Sequence, residues 1–405
     1  MTVFDITAKA PGKRVLLLQD LDVTDSAILK ALAITLILLH NFFHVVSPAR
    51  QNEFSFSADR FTVFLQTIQQ PSLAVQAFFS FFGHYGVQVF VFLSAYGLAK
   101  AHWDKQESWA AFMWGRIRKL YPSFLIIVGA WAFAKAVLLG PVAFLSHMGL
   151  PLALMLLGVS TLFGYGFPPV GPWWFIPFIV QFYAIWPLLR KLTCRFGWKV
   201  LLALSLISLV VTYFCNPLLS RWGLNLLFTP IGRIPVICMG IAAARYPLRL
   251  HRSVAALALA VLVLGSRYEP LWLLTLPAAP LVILWSYSWL RDSLRSFGWL
   301  RRVGEYSLLV FLLNAVVRDT LWGNFPLESI QMYARSPGMQ LLFGCASAVL
   351  SFLFAALIYE LLSSPVRAKA SVPSTIQHVP APPSHSLPRG ARVSSARVLP
   401  QFVEQ

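Results

Sequence analysis

Between residues 27 and 362 the chain is a succession of long apolar runs broken by short polar and basic segments. The runs fall at about 27–47, 86–102, 122–139, 172–189, 199–215, 230–244, 253–266, 271–289, 304–321 and 339–362. Several approach or exceed the ~18 apolar residues needed to cross a bilayer as a helix. The pattern predicts an all-α fold, a polytopic transmembrane bundle of about ten spans. Residues 141–166 are apolar too, but Pro141, Pro151, Gly158, Gly164 and Gly166 interrupt them, and Pro168 and Pro169 follow. If they crossed, the basic loop with Arg190, Lys191, Arg195 and Lys199 would lie outside, against the positive-inside bias. The 141–170 segment is therefore expected to dip or lie at the outer interface, sheltered by protein.

Charge sharpens this picture. Only 12% of the 405 residues are charged, about half the usual share, yet the formal net charge is +18. The cations form short clusters between apolar runs, so they read as topology signals rather than a nucleic-acid-binding face. Ten crossings place Arg245, Arg249, Arg252, Arg291, Arg295, Arg301 and Arg302 inside with both termini. The expected localisation is the cell (inner) membrane, multi-pass, with both termini cytoplasmic. Residues 1–25 read as a cytoplasmic lead-in, 26–363 as the transmembrane domain, and 364–405, rich in Pro, Ser and Arg, as a disordered basic tail. The VLLLQ run at 15–19 is too short for a signal peptide, and there is no internal repeat. Cys194, Cys215, Cys238 and Cys345 have no spacing that suggests a disulfide frame or a zinc knuckle.

Chemistry concentrates in KALAITLILLHNFFH, from Lys30 to His44. At ~1.5 Å per residue His40 lies roughly 15 Å from Lys30, about halfway through the hydrocarbon. A histidine at that depth is a functional candidate by default, against the plainer reading of a hydrogen-bonded core histidine. His44 shares its face one turn on. An HxxxH pair can hold zinc, but no third ligand accompanies it, and no metal site is expected.

Four further fragments follow in order: GVQVFVFLSAYG, FMWGRIRKLYP, WWFIPFIVQFYAIWPLL, and a weaker set of Arg233, Gly240, Gly304 and Ser307. Together with Lys30 and His40 they resemble the integral-membrane acyltransferase 3 family over most of residues 20–320. Ser94, Phe112, Arg116, Lys119, Tyr121, Pro122, Trp174, Gln181, Tyr183 and Pro187 stand at matching positions. There are also departures. Nine residues rather than ten separate Lys30 from His40, and Gln88 and Ala95 replace the usual Asp and Gly. Ser108 stands at an often basic position, Ile179 and Val180 where many members carry glutamates, and Asn314 at the second histidine. These positions therefore supply no carboxylate partner for His40.

The resemblance implies a membrane O-acyltransferase moving an acyl group, by default acetyl with succinyl or longer chains open, from acyl-CoA to a glycan hydroxyl. His40 would be the general base or a transient acyl carrier, since neutral imidazole takes a proton near working pH. Lys30, Arg116, Arg118 and Lys119 would meet the CoA phosphates, though such a cluster also serves ordinary anchoring. Asn41, His44, Ser94, Trp174, Gln181, Tyr183 and Arg233 are expected along the substrate path. Gln181 lies about two turns from Trp174 and can share its cavity. Expected partners are the bilayer, acyl-CoA and a glycan acceptor, with no nucleic acid and no bound cofactor. The alternative is a transporter or polysaccharide-export component with a histidine-lined path, which the missing repeat disfavours.

Overall fold

A computed structural model describes residues 16–164, 170–321 and 336–370 of the chain. Helix α1 (Val23–Val46) starts at a reciprocal cap: Asp22 accepts from the Asp25 amide and Asp25 from the Asp22 amide, which satisfies two otherwise orphan donors. The capping carboxylate is itself clamped. Asp25, fully buried, accepts from Tyr287 Oη at 2.6 Å, Arg291 Nη2 at 2.5 Å and Arg295 Nη1 at 2.9 Å. The lead-in expected up to residue 25 is thus folded from Leu16 onward. Leu16–Leu17 (β1) pairs antiparallel with Arg249–Leu250 (β2), and Tyr96 Oη donates to the carbonyls of Gln19 and Leu21. This small sheet is the one non-helical element among the described residues.

A loop over residues 47–57 leads to α2 (Ala58–Ile68) and α3 (Ala74–Phe82). A short 3-10 turn then enters α4 (Gly86–Ala101), which packs against α1. Gly83 and Gly86 permit that approach: a Cβ on Gly83 would stand 2.8 Å from His40 Cβ, and one on Gly86 would stand 2.5 Å from the Ala33 carbonyl oxygen. Close helix contact through small residues is how bundles pack where lipid offers no hydrophobic drive.

The chain continues through α5 (Trp109–Leu139), α6 (Pro141–Leu156), α7 (Phe175–Phe196), α8 (Trp198–Ser220) and α9 (Ile234–Arg245). It ends with α10 (Arg252–Arg267), the single turn α11 (Glu269–Trp272), α12 (Thr275–Ser296), α13 (Gly298–Glu305), α14 (Ser307–Leu321) and α15 (Pro337–Ala370). Gly140, at φ 85°, turns α5 into α6, the core of the segment expected to dip. Residues 165–169 of that segment lie outside the described residues, as do residues 371–405 of the expected tail. α15 continues past the expected tail boundary, to Ala370.

Among the described residues, six helical stretches are long and apolar enough to cross a membrane: Val23–Val46, Ala74–Ala101, Trp109–Leu139, Gly171–Phe196, Trp198–Ser220 and Pro337–Leu362. The count of ten is not reached by this measure. α9 has 12 residues, about 18 Å of helix, and α10 has 16. On α5, α8 and α15, Phe133, Phe214 and Leu353 are among many exposed apolar side chains, as befits surfaces turned to hydrocarbon. The described residues form a helical bundle that buries part of its polar side chains, Asp25, His40, His84 and Arg233 among them.

Candidate active site

α1 carries the site along its buried side. Two cavities line it in tandem. The first, about 230 Å³, is bounded by His40, Asn41, His44, Glu53, His84, Trp174 and Arg318, among others; we call it the histidine cavity. The second, about 200 Å³, is bounded by Lys30, Phe90, Leu120, Tyr183, Glu305 and Ser307, among others; we call it the lysine cavity. Ile37, Val87 and Phe311 line both, so these three side chains form the wall between them.

His40 is 8% exposed, and its Nδ1 lies 3.3 Å from the carbonyl oxygen of Phe79. A carbonyl only accepts, so Nδ1 carries the hydrogen, and in the neutral ring Nε2 keeps its lone pair. The rings of His44 and His84 stand 5.0 and 5.4 Å from that of His40. The backbone carbonyl of Asn41 accepts from Arg318 Nη1 at 3.0 Å, while its buried side-chain Nδ2 has no partner among the described residues. That nitrogen is a spare donor beside the imidazole. Among the described residues no three or more His, Cys, Asp or Glu side chains are grouped to hold a metal ion.

The loop over 47–57 closes one side of the histidine cavity. Gln51 Oε1 accepts from Arg60 Nη1 at 3.0 Å, Asn52 Oδ1 accepts from the Phe54 amide at 2.9 Å, and Asn225 Nδ2 donates to the Phe54 carbonyl at 3.1 Å. This knitting drives Glu53 inward to 4% exposure, where its Oε1 lies 3.8 Å from Nη2 of the fully buried Arg233. Burial pushes the Glu53 carboxyl up to about 7, against the opposite pull of Arg233.

The remaining predicted residues divide. Trp174 lines the histidine cavity, while Tyr183 and Lys30 line the lysine cavity. Arg233 lies behind the histidine cavity, its guanidinium 5.7 Å from the Trp174 ring centre. Gln181 faces away from Trp174's cavity. Its amide donates to Gly158 O at 3.0 Å and to Thr161 Oγ1 at 2.7 Å, which fixes the turn after α6. Ser94 is half-buried and borders neither cavity.

Arg116 is committed to a row of side chains. Its Nη2 donates to His102 Nε2 at 2.6 Å, and His102 Nδ1 donates to Glu107 at 2.6 Å. Burial pushes His102 down, favouring this neutral tautomer, although Glu107 opposes it. Arg118 and Lys119 are exposed. Sequence reading does not single out His84, Glu53 or Arg318. Arg318, an arginine within an apolar run, carried the intramembrane-charge signal that could have flagged it.

Residues 24–360 match the acyltransferase 3 family, described as an acyltransferase domain. That is most of the chain. The chain belongs to the acyltransferase 3 family. It is a membrane acyltransferase of that family by its matched domain and its apolar helices. Neither a curated protein nor a solved structure matches it.

Proposed function

We propose that this acyltransferase moves an acyl group, acetyl by default, from cytoplasmic acyl-CoA to a hydroxyl of a cell-surface or exported glycan. The observation that carries the reading is His40: its Nδ1 is tied to the Phe79 carbonyl, which leaves Nε2 of the neutral ring as the base, in a cavity backed by the lysine cavity. Nε2 takes the proton of the acceptor hydroxyl as that oxygen bonds to the thioester carbonyl carbon. The C–S bond breaks, and CoA leaves as a thiolate that recovers the proton. Asn41 Nδ2 and Arg318 offer positive character where the thioester oxygen becomes negative. In the variant where His40 carries the acyl group, the same lone pair attacks first.

Lys30 lies at the end of α1 toward the basic clusters, the end we assign to the cytoplasm. Arg118 and Lys119 meet the CoA phosphates there, and Arg116 is held beside them by His102. Reporters fused after residues 195 and 365 would then both read as cytoplasmic. An external signal at either site breaks this orientation. Glycan analysis of a deletion strain tests the function itself. Loss of ester-linked acyl groups from a polymer made at normal yield is the expected result; loss of the polymer itself would point to export instead.

A further inference from the structure

The transfer chemistry at His40 leaves the carboxyl group of the histidine cavity unused. Glu53 lines the cavity, is 4% exposed, and comes from a loop that side-chain hydrogen bonds hold rigidly in place. Its charged neighbour Arg233 approaches only to 3.8 Å, too far for a direct hydrogen bond. Arg233 is fully buried; Nε donates to the Leu227 carbonyl at 3.0 Å, but Nη1 and Nη2 have no hydrogen-bond partner among the described residues. Two buried charges so loosely paired are a poor stabilising device, because the cost of desolvation is offset only by close, well-satisfied geometry.

The surroundings of Glu53 suggest what it serves. Phe54 and Trp174 both line the cavity, with rings set edge to face at 5.2 Å, and the Arg233 guanidinium lies 6.0 and 5.7 Å from their centres. An apolar aromatic corner beside a carboxylate suits a ring that has C–H faces and hydroxyl edges. At about 230 Å³ the space is below the ~300–1,000 Å³ of most ligand pockets, so it suits a single ring rather than an extended chain.

We propose that Glu53 is an acceptor-binding residue: its carboxylate receives hydroxyl hydrogen bonds from one sugar ring set against Trp174 and Phe54, and Arg233 acts through it as a positioning residue. The inference rests on the transferase reading above. It supplies from the 47–57 loop a carboxylate that the family's motif positions lack here, and it assigns that group to the acceptor rather than to the donor.

The test measures acyl transfer in membranes from acetyl-CoA to a purified oligosaccharide of the strain's own glycan, normalised to inserted protein. Glu53→Gln should raise the acceptor KM by about tenfold or more, as expected for losing a hydrogen bond to a charged group, with the donor KM unchanged. Glu53→Asp should recover part of that loss, and Arg233→Met should shift the acceptor KM in the same direction by less. Because Glu53→Gln leaves Arg233 buried without a counter-charge, Glu53→Gln with Arg233→Met provides the control for folding. A double variant at normal protein level with the acceptor KM still raised supports the proposal. One that restores the wild-type acceptor KM overturns it, leaving Glu53 as a loop anchor. An unchanged acceptor KM in Glu53→Gln, or equal losses for donor and acceptor, also overturns it while leaving the transferase reading intact. If the wild type transfers no acyl group to any acceptor, the transferase reading itself fails and the inference with it.

Discussion

The histidine and lysine cavities lie on either side of Ile37, Val87 and Phe311, yet they hold different polar side chains. Three histidines, two asparagines, Glu53 and Arg318 surround the first. The second has fewer polar groups, Lys30, Tyr183, Glu305 and Ser307. Buried polar groups are costly in a bilayer, so a bundle concentrates them where chemistry needs them and lines with apolar side chains a route that only has to admit a substrate. Under the proposed function, acid–base work and acceptor binding belong to the first cavity and passage of the donor's acyl end to the second.

The largest expected effect lies in the histidine cavity. His40→Ala should insert normally and lose about 10²-fold or more in transfer, the lower range for a missing general base. His44→Ala should lose less, because His44 only flanks the ring that carries the lone pair. Ester acylation per inserted protein reads both; if His44→Ala alone is dead, the wrong histidine has been assigned.

The shared wall comes next. Val87→Phe adds bulk where the cavities meet, and overpacking of this kind costs about 1–3 kcal/mol. Donor kcat/KM should fall about tenfold, with the acceptor KM moved less. Equal loss on both substrates would mean the wall does not separate two routes.

A smaller effect is expected at the basic cluster. Arg118→Ala with Lys119→Ala should raise the donor KM a few-fold at normal protein level, since exposed ionic contacts contribute only ~0.2–1 kcal/mol each. Unchanged donor kinetics would reduce the cluster to a topology signal.

The smallest effect is on stability and bears on Glu53. Burial raises this carboxyl from 4.5 to about 7, so the native state holds its proton more tightly than the unfolded chain. Wild-type stability should therefore fall as pH rises through the window from about 4.5 to about 7. Glu53→Gln removes that slope, so its melting temperature in detergent relative to wild type should be a few degrees higher at pH 8 than at pH 5. A constant difference would show that Glu53 does not titrate in this window.

The apolar runs alone marked most of the long helices but not α2, α3, α13 or the first half of α5, because a span must be long and apolar whatever it packs against whereas a short or polar helix need not be. They also placed Lys30 and His40 on one helix, where the fixed rise per residue sets their depth. Tertiary structure decided the rest. Glu53 enters from a loop, His84 from the turn before α4 and Arg318 from α14, and no local pattern links them to His40. Gln181 turned toward Gly158 and Thr161 rather than toward Trp174's cavity, and Arg116 was taken up by His102. In a water-soluble helix the apolar stripe reveals the inward face. In a bilayer the outward face is apolar too, so hydropathy locates a helix without saying which side chains meet. Close packing settles that, as where Gly83 and Gly86 bring α4 against α1.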